Sequence, residues 1–383
     1  MKLKKSIALA LVTALILSLS GFSITDDLKE AFSRLLGGEV NVDRFVTYEA
    51  DPAPTPTPVP VVTPTPEPPW PPEGLKTEFT ISLIGDCTLS SSQLNNDYEN
   101  VMDGDFAYPF SGTKDIFAAD DFTIANLECT FSDQWMNNVA YGTFFFLGDS
   151  SHAQILKEGN VDLVTFANNH TEDYGQKGIE DTHKALEAVG IPYVDNDEYQ
   201  IYDVDGMKLA IYAINMPTDE MVTAGIERLK ANENPDVIMA ACHFGIEGRY
   251  HPTETQQKAA RAAIDAGADV VIGSHPHVLQ ITEEYNGGYI FYSLGNFSFG
   301  GNTNPRDKDS VIAQVVFELQ KDGSYIRKDV NLIPVAISGK SNANDYRPVP
   351  YEEGSEGYNR VISKLDGSFD GDDLHIDYSN MYK

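Results

Sequence analysis

The sequence predicts an α/β protein whose sheets are covered by helices, and three observations carry that expectation. Short apolar runs of strand length recur at 81–84, 122–125, 161–167, 237–242 and 270–274. Segments with helical spacing fall between or after them, at 176–189, 227–232 and 253–266. The stretch that follows, up to residue 338, is again β-rich. Strands that alternate with helices and then give way to more strands imply layered sheets with helical cover. At 383 residues and 42% hydrophobic content, the chain is long and apolar enough for one large domain or two small ones.

The elements follow in order. Lys2, Lys4 and Lys5 precede an uncharged, mostly apolar run to residue 24, and Asp26 and Asp27 follow it. A basic flank inside and an acidic flank outside fit export, so residues 1–24 are read as a signal peptide or membrane anchor. The run is long enough, at roughly 18 residues, to remain in the membrane. Ser18-Leu19-Ser20 is a poor cleavage motif, and no cysteine follows to take a lipid. The expectation is a cell-membrane protein facing outward, or a secreted one if the run is cleaved. Residues 25–50 read as a short helical stem, from the spacing of Leu28, Phe32, Leu35 and Leu36 before Gly37-Gly38. Residues 51–75 form a Pro/Thr-rich spacer. Its proline-rich stretch, 51–72, is expected to be extended polyproline II. At about 3.1 Å per residue it reaches roughly 60–70 Å.

The folded domain is expected over 76–338. Phe79, Ile81 and Leu83 alternate with polar neighbours as a strand does, and further strands are read at 122–127, 161–167, 208–214, 236–242, 270–273, 290–294 and 311–319. The tail, 339–383, is polar, acidic and glycine-containing, and is expected to pack loosely.

Lys and Arg number 27 against 58 Asp and Glu, a net charge of -31. That excludes broad electrostatic attraction to nucleic acid or anionic lipid. It leaves metal cations, neutral substrates, or an anion held by a local positive centre, for which Arg249, Arg261, Arg306 or a metal are the candidates. The 3 cysteines, Cys87, Cys129 and Cys242, are too few and odd in number for a disulfide framework. They read as small buried side chains, with sulfur ligation as the alternative.

The chemistry lies where the apolar runs end. They deliver Asp86; Asn126 and Glu128; Asn168, Asn169 and His170; His243; and the pair His275 and His277. In α/β sheets ligands gather beyond the carboxyl ends of the strands, so these groups are expected in one cleft, as a metal-assisted hydrolase needs. Asn126 and Glu128 share a face if their strand continues. His170, with Asp173 and Gly175 just beyond, can ligate a metal or donate a proton. His275-Pro276-His277 puts two imidazoles on a stiff turn, a ligand set suited to Mn, Zn or Fe. Of the 8 histidines, His152, His183, His251 and His375 lie away from such places and read as surface or core. Glu247 and Tyr250, with Arg249, follow His243 in a loop, where they either contact substrate or are solvated. Asn296 either lines the cleft or shapes a turn.

These residues carry a resemblance. Gly85-Asp86, Asn126-Leu127-Glu128, Ala167-Asn168-Asn169-His170 with Asp173 and Gly175, and His243-Phe244-Gly245 occur in order. They continue through Pro252, Gln256, residues 265–269, Gly273-Ser274-His275-Pro276-His277-Val278 and Tyr292-Ser293-Leu294-Gly295-Asn296-Phe297. From about Thr77 to Phe299 the chain resembles the CapA (also PgsA) poly-γ-glutamate capsule biosynthesis proteins, a branch of the calcineurin-like metallophosphoesterase superfamily. The resemblance implies a four-layer α/β/β/α sandwich, metallophosphatase-like, with one or two divalent ions at one edge. It implies Asp86, Glu128, Asn169, His243, His275 and His277 as metal ligands and His170 as the catalytic proton donor or phosphate contact. Asn126, Asn168, Asp173, Glu247, Tyr250 and Asn296 would bind substrate or support the ligands. Asp86 is followed by Cys87 and Thr88, so the superfamily's Asp-x-His histidine is missing, and Glu128 or Asn126 must stand for its bridging aspartate. The implied partners are poly-γ-glutamate or another capsule polymer, membrane capsule synthase components, and the membrane through the N-terminal segment. A metallophosphoesterase with no capsule role and a non-catalytic accessory protein are the alternatives.

Overall fold

The computed structural model describes residues 70–92, 95–134, 137 and 144–376. The expected leader or anchor, the stem, and residues 51–69 of the spacer lie outside them. No helix among the described residues is long and apolar enough to cross a membrane.

Strand β1 (Glu78–Thr88) opens the domain, and two short helices, α1 (Asp97–Met102) and α2 (Lys114–Phe117), lead to β2 (Phe122–Leu127). A small ladder of β3 (Thr130–Phe131) and β4 (Leu147–Gly148) precedes α3 (Ala153–Glu158), β5 (Leu163–Phe166), α4 (Gly175–Val189) and β6 (Tyr193–Asp195). Next come β7 (Glu198–Val204), β8 (Met207–Asn215), α5 (Asp219–Asn232), β9 (Val237–His243) and α6 (Glu254–Ala266). They are followed by β10 (Val270–Ser274), β11 (Thr282–Tyr285), β12 (Gly288–Phe291) and β13 (Asn296–Phe299). The long pair β14 (Asp309–Leu319) and β15 (Tyr325–Ala336), then β16 (Val349–Pro350) and α7 (Glu356–Leu365), complete it.

Two sheets result. The first runs β16-β15-β14-β1-β2-β5-β6, with β13 also paired to β1, and the second runs β11-β12-β10-β9-β8-β7. Period-two alternation sorts the side chains into layers. Ile81 and Leu83 of the first sheet share one buried cluster with Leu209, Ile211, Met239 and Ile272 of the second. The opposite face of the first sheet packs Leu127, Val164 and Phe166 against Ile155, Leu156 and Leu186 of α3 and α4. The opposite face of the second packs Tyr212, Ile238 and Val271 against Ile226, Ala259 and Ala263 of α5 and α6. The order of layers is therefore α/β/β/α. Within each sheet β1, β2, β5 and β6 are parallel, as are β8, β9, β10 and β12, so their carboxyl ends collect at common edges.

Helix α6 starts at a capping box, Thr253 with Gln256, close to the expected 253. Helix α5 begins well before the expected 227, with Thr218 accepting the Met221 N–H as its cap. Gly225 interrupts its apolar pattern because a Cβ there would lie 2.2 Å from the Tyr212 ring.

The tail departs from the loose packing expected of it. Val361 and Leu365 of α7 belong to the inter-sheet cluster. The helix's two cations dock it: Arg360 grips Asp309 with two bonds of 2.7 Å, and buried Lys364 donates to Asp307 and Asp309 at 2.6 Å each. Acidic composition concealed a helix whose buried side carries the basic residues.

Candidate metal centre

Each polar strand end acquires its position from the backbone around it. Asp86 sits inside β1 rather than at its end, at a shift of register against both β2 and β13. Such bulges re-aim a side chain. Gly85 permits this because a Cβ there would fall 1.9 Å from the Gly295 carbonyl oxygen, which accepts the Asp86 N–H at 2.9 Å. Glu128 follows the last residue of β2, and Asn168, Asn169 and His170 follow β5. His243 ends β9, and the turn after β10 carries His275 at φ 97° and His277 at φ 57°. A left-handed backbone is costly for residues with a Cβ, by about 1–3 kcal/mol each, and such strain gathers at functional sites. The His275 N–H holds the turn to Asp86 Oδ2 at 3.2 Å.

The two sheets meet here through ligand-type atoms. Glu128, His243 and His275 form one group, and Asp86, Glu128 and His277 a second, each with its ligand atoms within 4.8 Å of one another. Glu128 belongs to both. His243 Nε2 lies 2.6 Å from Asn169 Oδ1, 3.1 Å from His275 Nδ1 and 3.4 Å from Glu128 Oε1. His277 Nδ1 lies 2.8 Å from Asn296 Oδ1, 3.3 Å from Asp86 Oδ2 and 3.8 Å from Glu128 Oε2. Asn126 does not join the ligand atoms. Its amide donates to Asp86 Oδ1 at 2.9 Å and accepts from Asn168 at 3.1 Å, so it braces the cluster.

Electrostatics test whether a cation fits. Glu128 is fully buried, and neither carboxylate oxygen has a hydrogen-bond partner. A buried polar atom left so is costly, and a bound cation is one way to satisfy it. Burial, reinforced by the Asp86 charge, pushes its carboxyl up to about 8. Burial pushes His243 and His275 down to about 3, which keeps both imidazoles neutral, the form that ligates. Burial also opposes a charge on His277, but Glu128 and Asp86 outweigh it and raise that group to about 10. Positive charge is thus favoured at His277, beside Asp86 and Glu128. The residues fit a divalent metal.

The family model described as bacterial capsule synthesis protein PGA_cap matches residues 80–301, more than half of the chain and all of these groups. The chain belongs to this family. Over 238 residues it is 32% identical to the PGA biosynthesis protein CapA of Bacillus subtilis (strain 168), covering 56% of this chain and 62% of that one. Over 213 residues it is 33% identical to the capsule biosynthesis protein CapA of Bacillus anthracis, covering 48% and 49%. The chain thus spans 62% and 49% of the length of these two curated relatives. Among solved structures, a hypothetical protein from Thermus thermophilus superposes with TM-score 0.44 at 16% identity, over 67% of this chain and 99% of that one. The NAD nucleotidase of Haemophilus influenzae gives 0.43 at 12%, over 77% and 56%. Likenesses of that size carry no weight here.

In this PGA_cap domain the remaining candidates divide by position. His170, Glu247, His277 and Asn296 line the cleft. Asp173 accepts His170 Nδ1–H at 2.9 Å and the Phe146 N–H at 3.1 Å. Burial opposes a charge on His170, yet the Asp173 bond and charge raise its pKa above the ordinary value. Asn168 turns inward to Leu127 O at 2.7 Å and supports the loop. Tyr250 stands behind the cleft in a supporting position. It is buried, and its hydroxyl donates to Asp307, which lines the cleft, at 2.7 Å. Thr88, two residues after Asp86 where the resemblance led to the expectation of a histidine, points its hydroxyl at the Glu128 carbonyl, 3.3 Å away. All three cysteines are free and buried among apolar neighbours, and burial raises each thiol's pKa, Cys242 to about 12. Of the arginines considered, Arg261 pairs with Glu283 at 2.8 Å, Arg249 lies 3.6 Å from Asp373, and Arg306 lines the cleft. Sequence reasoning missed Ser274, whose Oγ holds His243 Nδ1 at 3.0 Å, and the cleft walls Phe144, Phe146 and Phe299. A serine beside a strand-end histidine was the available signal for the first; the phenylalanines offered none.

Proposed function

We propose that the protein works at the cell surface in the synthesis, export or attachment of poly-γ-glutamate or a related capsule polymer, through a metal-dependent hydrolase-like site. The observation that carries the reading is Glu128: a buried carboxylate with no hydrogen-bond partner, shared by two His/carboxylate groups within the family match. Membership in the capsule family supports the substrate class, and the N-terminal apolar run supports placement at the membrane beside synthase components.

Glu128, Asn169, His243 and His275 would hold one ion, and Asp86, Glu128 and His277 a second. A divalent ion there supplies Lewis-acid polarisation of a carbonyl or phosphoryl oxygen. The chain's own residues do the rest. Asp173 accepts the Nδ1–H of His170 and raises its pKa, so the protonated imidazolium can give its Nε2 proton to a leaving group at the cleft. Asn126 and the His275 N–H hold Asp86 in place.

The test is purified full-length chain loaded with Mn, Zn or Fe, assayed for metal content and for cleavage or transfer of γ-linked glutamate polymer. Wild type should hold stoichiometric metal, Glu128→Ala should not, and His170→Ala should keep metal but lose about 10²–10⁴-fold in rate. No bound metal under any loading condition would end the catalytic reading. Thr88 at the missing-histidine position favours a second reading, a polymer-binding accessory protein. Polymer export that persists in a His170→Ala, His277→Ala double variant would support it.

A further inference from the structure

The residues lining the cleft include two from far outside the family match. Leu374 and Ile376, half-buried on either side of the exposed His375, both line the cleft together with His170, His277 and Glu247. Their segment is built in. The Leu374 N–H donates to the Gly248 carbonyl at 2.9 Å, and the Gly248 N–H donates to the carbonyl of Pro276, between the two turn histidines, at 2.8 Å. One residue thus ties the metal-site turn to the C-terminal segment. Gly248 has φ +77°, and a Cβ there would lie 2.6 Å from Leu374 O, so only glycine allows this approach. Asp373 accepts the Tyr250 N–H at 2.9 Å, and Arg306 donates to the His375 carbonyl. Upstream, Phe369 packs on Tyr250 with ring centroids 4.8 Å apart, and Lys364 anchors α7 to Asp307.

We infer that this C-terminal segment is a substrate-facing wall of the cleft, and that Leu374 and Ile376 are specificity-determining residues that pack an apolar stretch of substrate beside the metal-binding groups. The substrate class rests on the capsule-polymer reading above. A γ-linked glutamate chain presents consecutive methylenes and one carboxylate per residue. The methylenes match Leu374 and Ile376, which line the same cleft as Phe146 and Phe299. The carboxylate matches Arg306, the single Lys or Arg among the described residues lining the cleft. Phosphate or metal contacts alone would need no such wall.

The experiment uses full-length Mn-loaded protein and two probes: a γ-linked glutamate oligomer, with binding read by calorimetry, and bis-p-nitrophenyl phosphate, with KM and kcat read by absorbance. The Leu374→Ala, Ile376→Ala double variant should bind the oligomer about tenfold or more weakly with unchanged metal content. The volume-conserving pair Leu374→Met, Ile376→Leu should return near wild type. If the double variant unfolds, Ile376→Ala alone should show the same direction. Oligomer affinity unchanged in a variant with intact metal overturns the wall. If wild type binds no oligomer, the capsule-polymer reading falls, and the wall is then judged on the diester: KM raised about tenfold with kcat nearly unchanged supports it, and unchanged KM overturns it. A wild type that takes neither probe overturns both.

Discussion

Replacing Glu128 with methionine separates what the site needs for folding from what it needs for a metal. Glu128 is fully buried and both its oxygens lack a hydrogen-bond partner, with the nearest imidazole nitrogens at 3.4 and 3.8 Å. An unsatisfied buried polar group costs about 1–3 kcal/mol, and because burial raises the Glu128 carboxyl to about 8, methionine removes that penalty at neutral pH without removing a charge. Metal-free Glu128→Met is therefore expected to be more stable than metal-free wild type by about 1–3 kcal/mol. For a domain of roughly 300 residues that raises Tm by about 1–2 °C per kcal/mol. Metal should reverse the order: at a hundredfold excess over Kd an ion adds about 2.7 kcal/mol to wild type and nothing to the variant that has lost the shared ligand. The assay is thermal unfolding by circular dichroism, with and without chelator, beside metal analysis. A metal-free variant clearly less stable than wild type, or one that keeps the full metal-induced shift, would refute the reasoning.

Other outcomes follow from the same geometry. Glu128 is raised from 4.5 to about 8, so between those pH values the folded metal-free protein holds a proton that the unfolded chain releases. Stability contributed this way is present in acid and lost as pH rises, so chelated wild type should lose stability from about pH 5 to 8 while Glu128→Met loses less, read by urea titration. Lys364→Met strands two buried carboxylates, although Arg360 and Tyr250 retain partners for them, and should cost about 3 kcal/mol in stability by urea unfolding. Gly85→Ala puts a Cβ 1.9 Å from Gly295 O and should give insoluble protein or protein with lost metal content. Asp173→Asn removes the partner that raises His170, so the imidazole's pKa should fall toward or below its ordinary value in an NMR titration.

Much of the core and of the ligand set was legible because both obey local periodicities. The runs that became β9 and β10 are apolar on both faces, as strands covered on both sides are, β1 alternates apolar residues with Thr80 and Ser82, and the polar residues after such runs fall where parallel strands end. Edge strands were harder. β7 alternates Tyr199 and Ile201 with Glu198 and Gln200 against a single neighbour and makes a weak pattern. Helix α7 was hidden by the acidity of the segment around it, since its docking depends on Asp307 and Asp309, which lie far back along the chain.

The sequence by itself determined the layers, the strand ends and the kinds of donor atom, because hydrophobic period and residue chemistry act over a few neighbouring positions. Only the tertiary structure decided which donors meet. It made Glu128 common to both groups, turned Asn126 and Asn168 into braces, sent Tyr250 to Asp307, and brought Leu374 and Ile376 to the cleft. Those outcomes depend on a bulge in β1, on backbone contacts that only Gly85 and Gly248 permit, and on burial that raises one carboxyl and neutralises two imidazoles. Such effects arise between segments far apart in the chain, where no local pattern records them.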